Sequence, residues 1–308
     1  MITDEIIKKE SALELPSGSA IAGYAYIRGY SEQPTKNGGT FLAGQMNCIG
    51  NINFKVWGGN TLNQMVAESV DDKICYIHGE VNEYAGTKSI IIKDCTTYIG
   101  DELIPDMFFE QKYDAKDLWR RLCDIIMKNC TPEGVEVFKM VIAPIKERFM
   151  KEYAAVSHHD ACMSGLIAHT TKLIRIAQII KFYPTLSRVI DKDTLFISVA
   201  LHDIGKVVEY NNGSISELGM KMSHLTLGIE LIRPFKEKII DLKGEDFYED
   251  LESVIQQHHG EYGERPRTLV AYIVHTLDGL EAKLTDIEDA VEATSSNQVK
   301  VAEYKLSF

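Results

Sequence analysis

Residues 195–206 read LFISVALHDIGK, an apolar run that leads directly into His202 and Asp203. The run predicts a buried helix, so the histidine and the aspartate lie at the edge of a hydrophobic core. Taken alone, this pair can be explained as a hydrogen-bonded histidine of the core beside an aspartate that caps a helix. Whether the pair binds a metal therefore depends on the other polar residues of the chain.

Composition places the chain among globular proteins. At 308 residues it suits two domains better than one, and 45% hydrophobic with 25% charged residues is ordinary for a soluble protein. No apolar run approaches the roughly 20 residues that cross a bilayer, and the N-terminal MITDEIIKKE lacks the order of a signal peptide. The six cysteines form no CxxC pair, which argues against a zinc ribbon or a disulfide framework. We therefore expect a cytoplasmic protein without a membrane partner.

Residues 1–104 predict a β-barrel. Alternating patterns and turn signals mark five strands, and a short helix at TLNQMVAES (61–69) falls between the third and the fourth. The strand segments are AIAGYAYIRGY (20–30), TFLAGQM (40–46), NINFKVW (51–57), KICYIHGEV (73–81) and TKSIIIKDCTTY (87–98). This is the element order of a five-stranded OB-fold, which commonly binds single-stranded nucleic acid or oligosaccharide.

A nucleic-acid surface is predicted on this barrel. The net charge of −12 gives polyanions no general attraction, but residues 18–100 are near neutral, with six basic and seven acidic residues. Lys55 and Trp57 share one strand face, and aromatic rings beside a cation hold single strands by stacking. The predicted surface comprises Trp57, Lys55, Phe41 and Arg28. The alternative is a structural role for the aromatic residues; it is weakened if the following rings are exposed: Trp57, Phe41, Tyr24, Tyr26 and Tyr30.

From residue 105 the spacing of apolar residues becomes helical, which predicts an all-α domain over residues 105–308 and an α+β chain overall. Eight of the nine histidines fall in this half. Residue types that ligate metals recur on its apolar helices at His169, His202, Asp203, His224, His258, His259, His275 and Asp278. Burying polar groups without partners costs about 1 to 3 kcal/mol each, a cost that a shared cation removes.

The order of these residues resembles that of the HD-domain metal-dependent phosphohydrolases. Over nearly the whole chain, the likeness is closer to the YhaM-type 3′→5′ exoribonucleases, which also carry an N-terminal OB-fold. The motifs that carry it are HHDACMSGLIAHT (158–170), LHDIGKVVEY (201–210), MSHLTLGIELI (222–232), QQHHGEYGERP (256–266) and HTLDGLEAKL (275–284). The resemblance implies a nuclease that trims single-stranded RNA, favoured over DNA, from its 3′ end, releases nucleoside monophosphates and forms homo-oligomers.

Hydrolysis of a phosphodiester is served by two cations about 3.5 to 4 Å apart, and Asp203 is the natural carboxylate to bridge them. One ion is assigned to His169, His202, Asp203 and Asp278, and the other to Asp203, His224 and His258. Imidazole ligands suit manganese, iron, cobalt, nickel or zinc, whereas magnesium prefers more oxygen. Manganese is preferred, by resemblance as well as by ligand type.

Further residues receive roles at the rim of the predicted centre. Lys206 follows Asp203 by three residues, and the resemblance gives it a catalytic role in offsetting phosphate charge; the alternative is a surface lysine. His259 either ligates or contacts the phosphate. A structural role competes with substrate contact for His158 and His159, and His275 is expected to support or pack against the centre.

Two other functions remain open at this stage. One is an HD-domain nucleotide or cyclic-nucleotide phosphohydrolase whose barrel serves only assembly. The other is a non-catalytic RNA- or protein-binding module in which the metal site is structural.

Overall fold

The computed structural model describes residues 5–35, 38–84, 86–109, 111–155, 160, 162–292, 294, 298–301 and 304–307. The chain divides into two units, Met1–Glu110 and Gln111–Phe308, and each is described by itself.

The first unit is a closed five-stranded barrel, and the predicted OB-type architecture is confirmed. Its strands are Ala20–Pro34 (β1), Thr40–Asn47 (β2), Asn51–Trp57 (β3), Lys73–Tyr84 (β4) and Thr87–Thr97 (β5). They pair in the order β1-β2-β3-β5-β4 and close onto β1, with β3 and β5 parallel and the other pairs antiparallel. Lys9–Glu14 (α1) precedes the barrel, and Asn60–Glu68 (α2) lies between β3 and β4.

Side-chain alternation explains why these segments form a barrel. In β3, Ile52, Phe54 and Val56 are buried in the interior, while Trp57 at its end is exposed. The 3₁₀ turn Pro105–Phe108 follows β5, and the carbonyl of Phe108 accepts a hydrogen bond from the backbone N–H of Ile49 at 2.8 Å. The segment after residue 104 thus packs on the barrel before the helical unit begins.

The second unit is helical, as the apolar spacing predicts. Its helices are Ala115–Asn129 (α3), Pro132–Ile142 (α4), Lys146–Lys151 (α5), Gly165–Ala177 (α6), Leu186–Val189 (α7), Lys192–Leu201 (α8), Lys206–Glu209 (α9), His224–Ile232 (α10), Lys236–Lys243 (α11), Glu245–Gln257 (α12) and Leu269–Glu292 (α13). The unit also contains two short antiparallel strand pairs. Tyr210–Asn211 (β6) pairs with Ser214–Ile215 (β7), and Gln298–Val301 (β8) pairs with Tyr304–Ser307 (β9). None of the described helices has both the length and the apolar character to cross a membrane.

Helix α8 is the central helix of this unit. Residues 193–201 are all buried, because the helix is surrounded by α3, α4, α6, α12 and α13. The Asp191 side chain accepts a hydrogen bond from the N–H of Thr194 at 2.9 Å and starts the helix. The helix ends at Leu201, so His202 and Asp203 occupy the turn before α9. In that turn a Cβ at Gly205 would collide with the carbonyl oxygen of His224, so glycine allows α10 to approach.

Candidate metal centre

Five parts of the helical unit bring polar side chains to one place. Helix α6 supplies His169, and the turn after α8 supplies His202 and Asp203. His224 starts α10, His258 and His259 follow α12, and Asp278 lies on α13. His169, His202, Asp203 and His258 are at most 3% exposed, which makes this a charged cluster within the core.

One group of ligand atoms surrounds Nε2 of His169. This atom lies 3.1 Å from Oδ1 of Asp278 and 3.3 Å from Nε2 of His202. His202 Nε2 is in turn 3.3 Å from Oδ2 of Asp203. His169, His202 and Asp278 are thus close enough to share one ion, with Asp203 Oδ2 beside them.

A second group lies on the other side of Asp203. Its Oδ1 is 3.4 Å from Nε2 of His258 and 3.6 Å from Nε2 of His224. His259 joins this group, with its Nε2 2.7 Å from that of His224. Both imidazoles after α12 reach the group because the helix ends at Gln257 and Gly260 adopts a left-handed φ of 58°. Asp203 therefore faces both groups, one with each oxygen.

Hydrogen bonds at Nδ1, the ring nitrogen that faces away from the cluster, fix the orientation of His202 and His258. Nδ1 of His202 lies 2.9 Å from the carbonyl oxygen of Val199, and Nδ1 of His258 lies 3.0 Å from that of Ile255. A carbonyl oxygen only accepts, so Nδ1 of each ring carries a proton, and in the neutral form of the ring Nε2 carries a lone pair. These lone pairs point into the cluster.

The cluster consequently contains hydrogen-bond acceptors that face one another with no donor between them among the described residues. A bound cation would satisfy such acceptors. Asp203 Oδ1 and His258 Nε2 are buried and make no hydrogen bond in the described part of the chain. Such an unsatisfied group costs about 1 to 3 kcal/mol. A divalent cation would take lone pairs from both atoms, and mixed imidazole and carboxylate donors suit manganese, iron, cobalt, nickel or zinc.

The pKa shifts in the cluster show which groups are charged and where a cation would displace a proton. Burial raises the pKa of Asp203, but Lys206 and His202 outweigh it and hold that pKa well below its usual range. Burial lowers the pKa of His169, whereas the carboxylates of Asp278 and Glu281 reverse the effect and raise it to about 10. A cation would therefore compete with a proton at His169 Nε2. Burial and the neighbouring His258 lower the pKa of His259 to about 3, which keeps this ring neutral.

Lys206 and His275 border the same centre. Lys206 is largely buried, and its Nζ donates to Oδ2 of Asp203 at 2.7 Å, so it is not a surface lysine. Nδ1 of His275 is 2.7 Å from the carbonyl oxygen of His258, which places its ring against the end of α12. Both side chains line a cavity of about 400 Å³ together with His169, His258, His259, Glu261 and Asp278.

Two carboxylates in contact with the centre are not among the predicted residues. Glu281 lies 2.5 Å from Nδ1 of His169, and Glu209 lies 2.7 Å from Nδ1 of His224. Glu281 follows Asp278 by one helical turn on α13, so an acid spaced three residues from a predicted ligand is a usable signal. The predicted His158 and His159 lie outside the described residues.

The barrel brings three of its four predicted nucleic-acid contacts together. Phe41 and Trp57 pair across β2 and β3 with their rings stacked at 4.7 Å, and Lys55 Nζ is 6.0 Å from the Phe41 ring centre. Trp57 is 47% exposed, and Phe41 is half-buried. Arg28 is apart from them: it is buried and donates from Nη1 to Asn51 at 3.0 Å.

Exposure, the test set above for the tyrosine rings of β1, fails at Tyr26. Tyr26 is buried, and its hydroxyl donates to Asp72, while its ring packs on Phe109. The register shifts between Ile27 and Gly29, which explains why simple alternation does not hold through this strand.

Comparison with known proteins identifies the helical unit. Residues 166–283 match the family model described as HD domain. The 3'-5' exoribonuclease YhaM of Shouchella clausii (strain KSM-K16) is 29% identical over 289 residues, which cover 89% of this chain and 87% of that protein. YhaM of Geobacillus sp. (strain WCH70) is 24% identical over 300 residues, with 94% and 90% covered.

A solved structure aligns with a smaller part of the chain. The mitochondrial single-stranded DNA-binding protein Rim1 of S. cerevisiae covers 28% of this chain and 100% of its own, at 16% identity and a TM-score of 0.26. That score adds nothing to the barrel topology given by the strand pairing. On the family model and the full-length similarities, the helical unit contains an HD domain, and the resemblance of the whole chain to the YhaM exoribonucleases is confirmed.

Proposed function

We propose that this chain is a metal-dependent 3′→5′ exonuclease that degrades single-stranded RNA and releases nucleoside monophosphates. The observation that carries the chemistry is the pair of unsatisfied buried acceptors, Asp203 Oδ1 and His258 Nε2, inside a cluster of imidazoles and acids. The polarity and the RNA substrate rest on the relatives, which are named 3'-5' exoribonucleases.

The proposed centre holds two ions, with manganese preferred. His169, His202, Asp203 and Asp278 would hold one; Asp203, His224 and His258 would hold the other, and the short His224 to His259 distance supports adding His259 to the second set. Bound there, divalent ions supply a water of lowered pKa and positive charge opposite the phosphate oxygens.

The protein side chains contribute charge and orientation to the reaction. Asp203 stays anionic, and Lys206 donates a hydrogen bond to its Oδ2. Lys206 also lines the cavity, where its ammonium can donate to a non-bridging phosphate oxygen. His259 remains neutral, so we assign it to binding rather than to proton donation. For His158 and His159 substrate contact and a structural role both stay predictions, and His275 supports the turn that carries His258.

The barrel is proposed to hold the strand that the helical unit degrades. The stacked pair Phe41 and Trp57 offers a ring surface to a base, and each stacked base is worth about 1 to 3 kcal/mol. We place Lys55 beside a phosphate of the same strand. Arg28 is buried against Asn51, at the other end of β3 from Trp57, and is not assigned to nucleic-acid contact. The functional division at residues 104 and 105 and the cytoplasmic location stay predictions.

A homo-oligomer is also proposed, formed by a second copy on α13. This helix carries an exposed apolar stripe of Leu269, Tyr272, Leu280 and Leu284. An antiparallel copy would set the exposed Arg267, just before the helix, against the exposed Glu288 near its end. Sedimentation should show an oligomer that Leu280→Glu dissociates, whereas the exposed Met127→Glu on α3 leaves it intact. A monomeric unaltered protein would remove this proposal.

The nuclease proposal is tested with end-labelled single-stranded RNA and DNA in the presence of manganese. The unaltered protein should shorten RNA from the 3′ end, and Asp203→Asn should lower the rate at least about 100-fold. The matched control is Asp241→Asn, which changes an exposed aspartate of α11. If RNA stays intact while small phosphodiesters or nucleotides are hydrolysed, the chain is a nucleotide phosphohydrolase. If neither is hydrolysed but RNA binds, it is a binding module.

A further inference from the structure

Two of the imidazoles in the centre are held by carboxylates, whereas two others are held by the backbone. His202 and His258 face the carbonyl oxygens of Val199 and Ile255 through Nδ1. His169 and His224 instead face Glu281 and Glu209. The two carboxylates lie behind different groups of ligand atoms, because His169 and His224 lie on opposite sides of Asp203.

Glu281 is locked in place by a buried network. It is 1% exposed, and its Oε1 accepts a hydrogen bond from Thr285 Oγ1 at 2.7 Å. Lys172 Nζ lies 3.5 Å from the same Oε1 and 3.0 Å from Thr285 Oγ1. Lys172 also donates to Asp160 at 2.9 Å, and Asp160 accepts from the hydroxyl of Tyr113 at 2.5 Å. Lys172 and Thr285 hold Oε1 of Glu281 and leave Oε2 directed at His169.

Glu209 holds His224 differently. Its Oε2 faces Nδ1 of the ring at 2.7 Å, and its Oε1 accepts from the backbone N–H of the same residue at 3.0 Å. His224 is the first residue of α10, so this second bond also satisfies an N–H that has no partner within the helix. One carboxylate thus fixes both the ring and the helix start that carries it.

We infer that Glu281 and Glu209 are positioning residues for two different cations, Glu281 for the ion at His169 and Glu209 for the ion at His224. This inference rests on the metal centre of the proposed function. In each pair the carboxylate accepts the Nδ1 proton, so Nε2 faces the cluster, where a bound cation would take the place of any proton on that nitrogen. Removal of a carboxylate behind a ligating histidine typically costs 10- to 100-fold in metal affinity, about that for each ion here.

Lys172 acts through Glu281 rather than on the metal. Its ammonium contacts Glu281, Thr285 and Asp160 but lies on the side away from Nε2 of His169. Lys172→Met should therefore weaken the same ion as Glu281→Gln. Because the two changes break one chain of contacts, the double variant should lose less affinity than the sum of the single changes predicts.

The experiment is a manganese titration of the full chain, followed by calorimetry and by the electron paramagnetic resonance of the bound ions, without nucleic acid. The variants are Glu281→Gln and Glu209→Gln, which keep size and remove charge. His169→Ala and His224→Ala identify which binding step belongs to which ion. Thermal unfolding of each metal-free variant controls for folding.

Glu281→Gln should weaken only the step that His169→Ala removes, and Glu209→Gln only the step that His224→Ala removes, each about 10- to 100-fold. The inference is overturned if both variants weaken the same step, if either weakens both equally, or if neither changes affinity. Fewer than two ions on the unaltered protein would overturn the metal centre and with it the inference. Two ions without RNA degradation would overturn the nuclease alone.

Discussion

The interiors of the barrel and of the helical unit are filled with different chemistry. The apolar core of the barrel includes Cys48, Cys75 and Cys95, and the barrel also buries Asn47 and Arg28, neither of which is an acid or a histidine. The helical unit surrounds its central helix with apolar groups but also buries His169, His202, Asp203 and His258 among them. Packing stabilises an apolar core, whereas a cluster of buried acids and imidazoles gains a further stabilisation from a cation that offsets its desolvation. The stability of the barrel should therefore not depend on metal, whereas the helical unit should fold without metal but be more stable with it bound.

The largest expected effect is a loss of stability confined to the barrel. Phe54 is 1% exposed, and Phe54→Ala should lower the free energy of unfolding of the barrel by about 3 to 5 kcal/mol, because it leaves a cavity. The two tryptophans, Trp57 and Trp119, lie in different units and report on each in single-tryptophan variants. Manganese affinity should be unchanged. A matching loss of metal binding would show that the interiors are not independent.

Metal removal should affect the other unit. With manganese at 100 times its dissociation constant, one bound ion stabilises the folded state by about 2.7 kcal/mol, and chelation removes that amount. Hydrogen exchange of the full chain with and without chelator measures both units in one experiment. Faster exchange should be confined to the helical unit. Equal changes in β1 to β5 would contradict the comparison.

Asp193 sharpens the comparison, because it is a buried acid whose two carboxylate oxygens both have hydrogen-bond partners in the protein, unlike those of Asp203. Its carboxylate accepts from Lys243 Nζ at 2.6 Å and from the N–H of Thr131 at 2.8 Å. Burial raises the pKa of Asp193, but the bonds from Lys243 and Thr131 outweigh it and lower that pKa from its ordinary 3.8. Its contribution is therefore complete above about pH 3.8 and is lost as the pH falls through the lower folded value.

At pH 7, Asp193→Asn should cost about 1.5 to 3 kcal/mol of unfolding free energy with or without metal. The difference from the unaltered protein should shrink as the pH falls below about 3.8. Denaturant unfolding at several pH values measures it, with Asp241→Asn as the exposed control. A difference that is constant with pH would show that charge is not its origin.

The smallest expected effect concerns the barrel surface. Trp57→Ala should weaken single-stranded RNA binding by about 1 to 3 kcal/mol, since one stacking ring is lost. Hydrolysis of a small phosphodiester by the helical unit should not change. Phe182→Ala, which removes a 72% exposed ring of the helical unit, is the control in a filter-binding titration. Equal losses for both variants would contradict a specific barrel surface.

The sequence predicted most of the fold because the fold follows periodic patterns. Alternation placed the five strands, and the apolar spacing of residues 269–292 matches helix α13 over its whole length. The shift of register after Ile27 and the hairpin of β8 and β9 carry no such period. The register shift depends on the pairing of β1 with β2, which a pattern within one strand does not contain, and β8 and β9, at four residues each, are too short for alternation to identify them.

The candidate site was predictable to the level of residue type. The repeated histidines and acids on apolar helices indicated a shared cation, and the resemblance gave their grouping. The orientations of the rings were not predictable, since they depend on partners far away in sequence: Glu281 is 112 residues from His169. The burial of Arg28 against Asn51 was missed for the same reason.

The most direct test of the central claim is the manganese content of the purified full chain at saturation. Two ions per chain are expected for the unaltered protein, and Asp203→Asn should lose both because that carboxylate faces both groups. No saturable uptake, or equal uptake by the unaltered protein and Asp203→Asn, would contradict it.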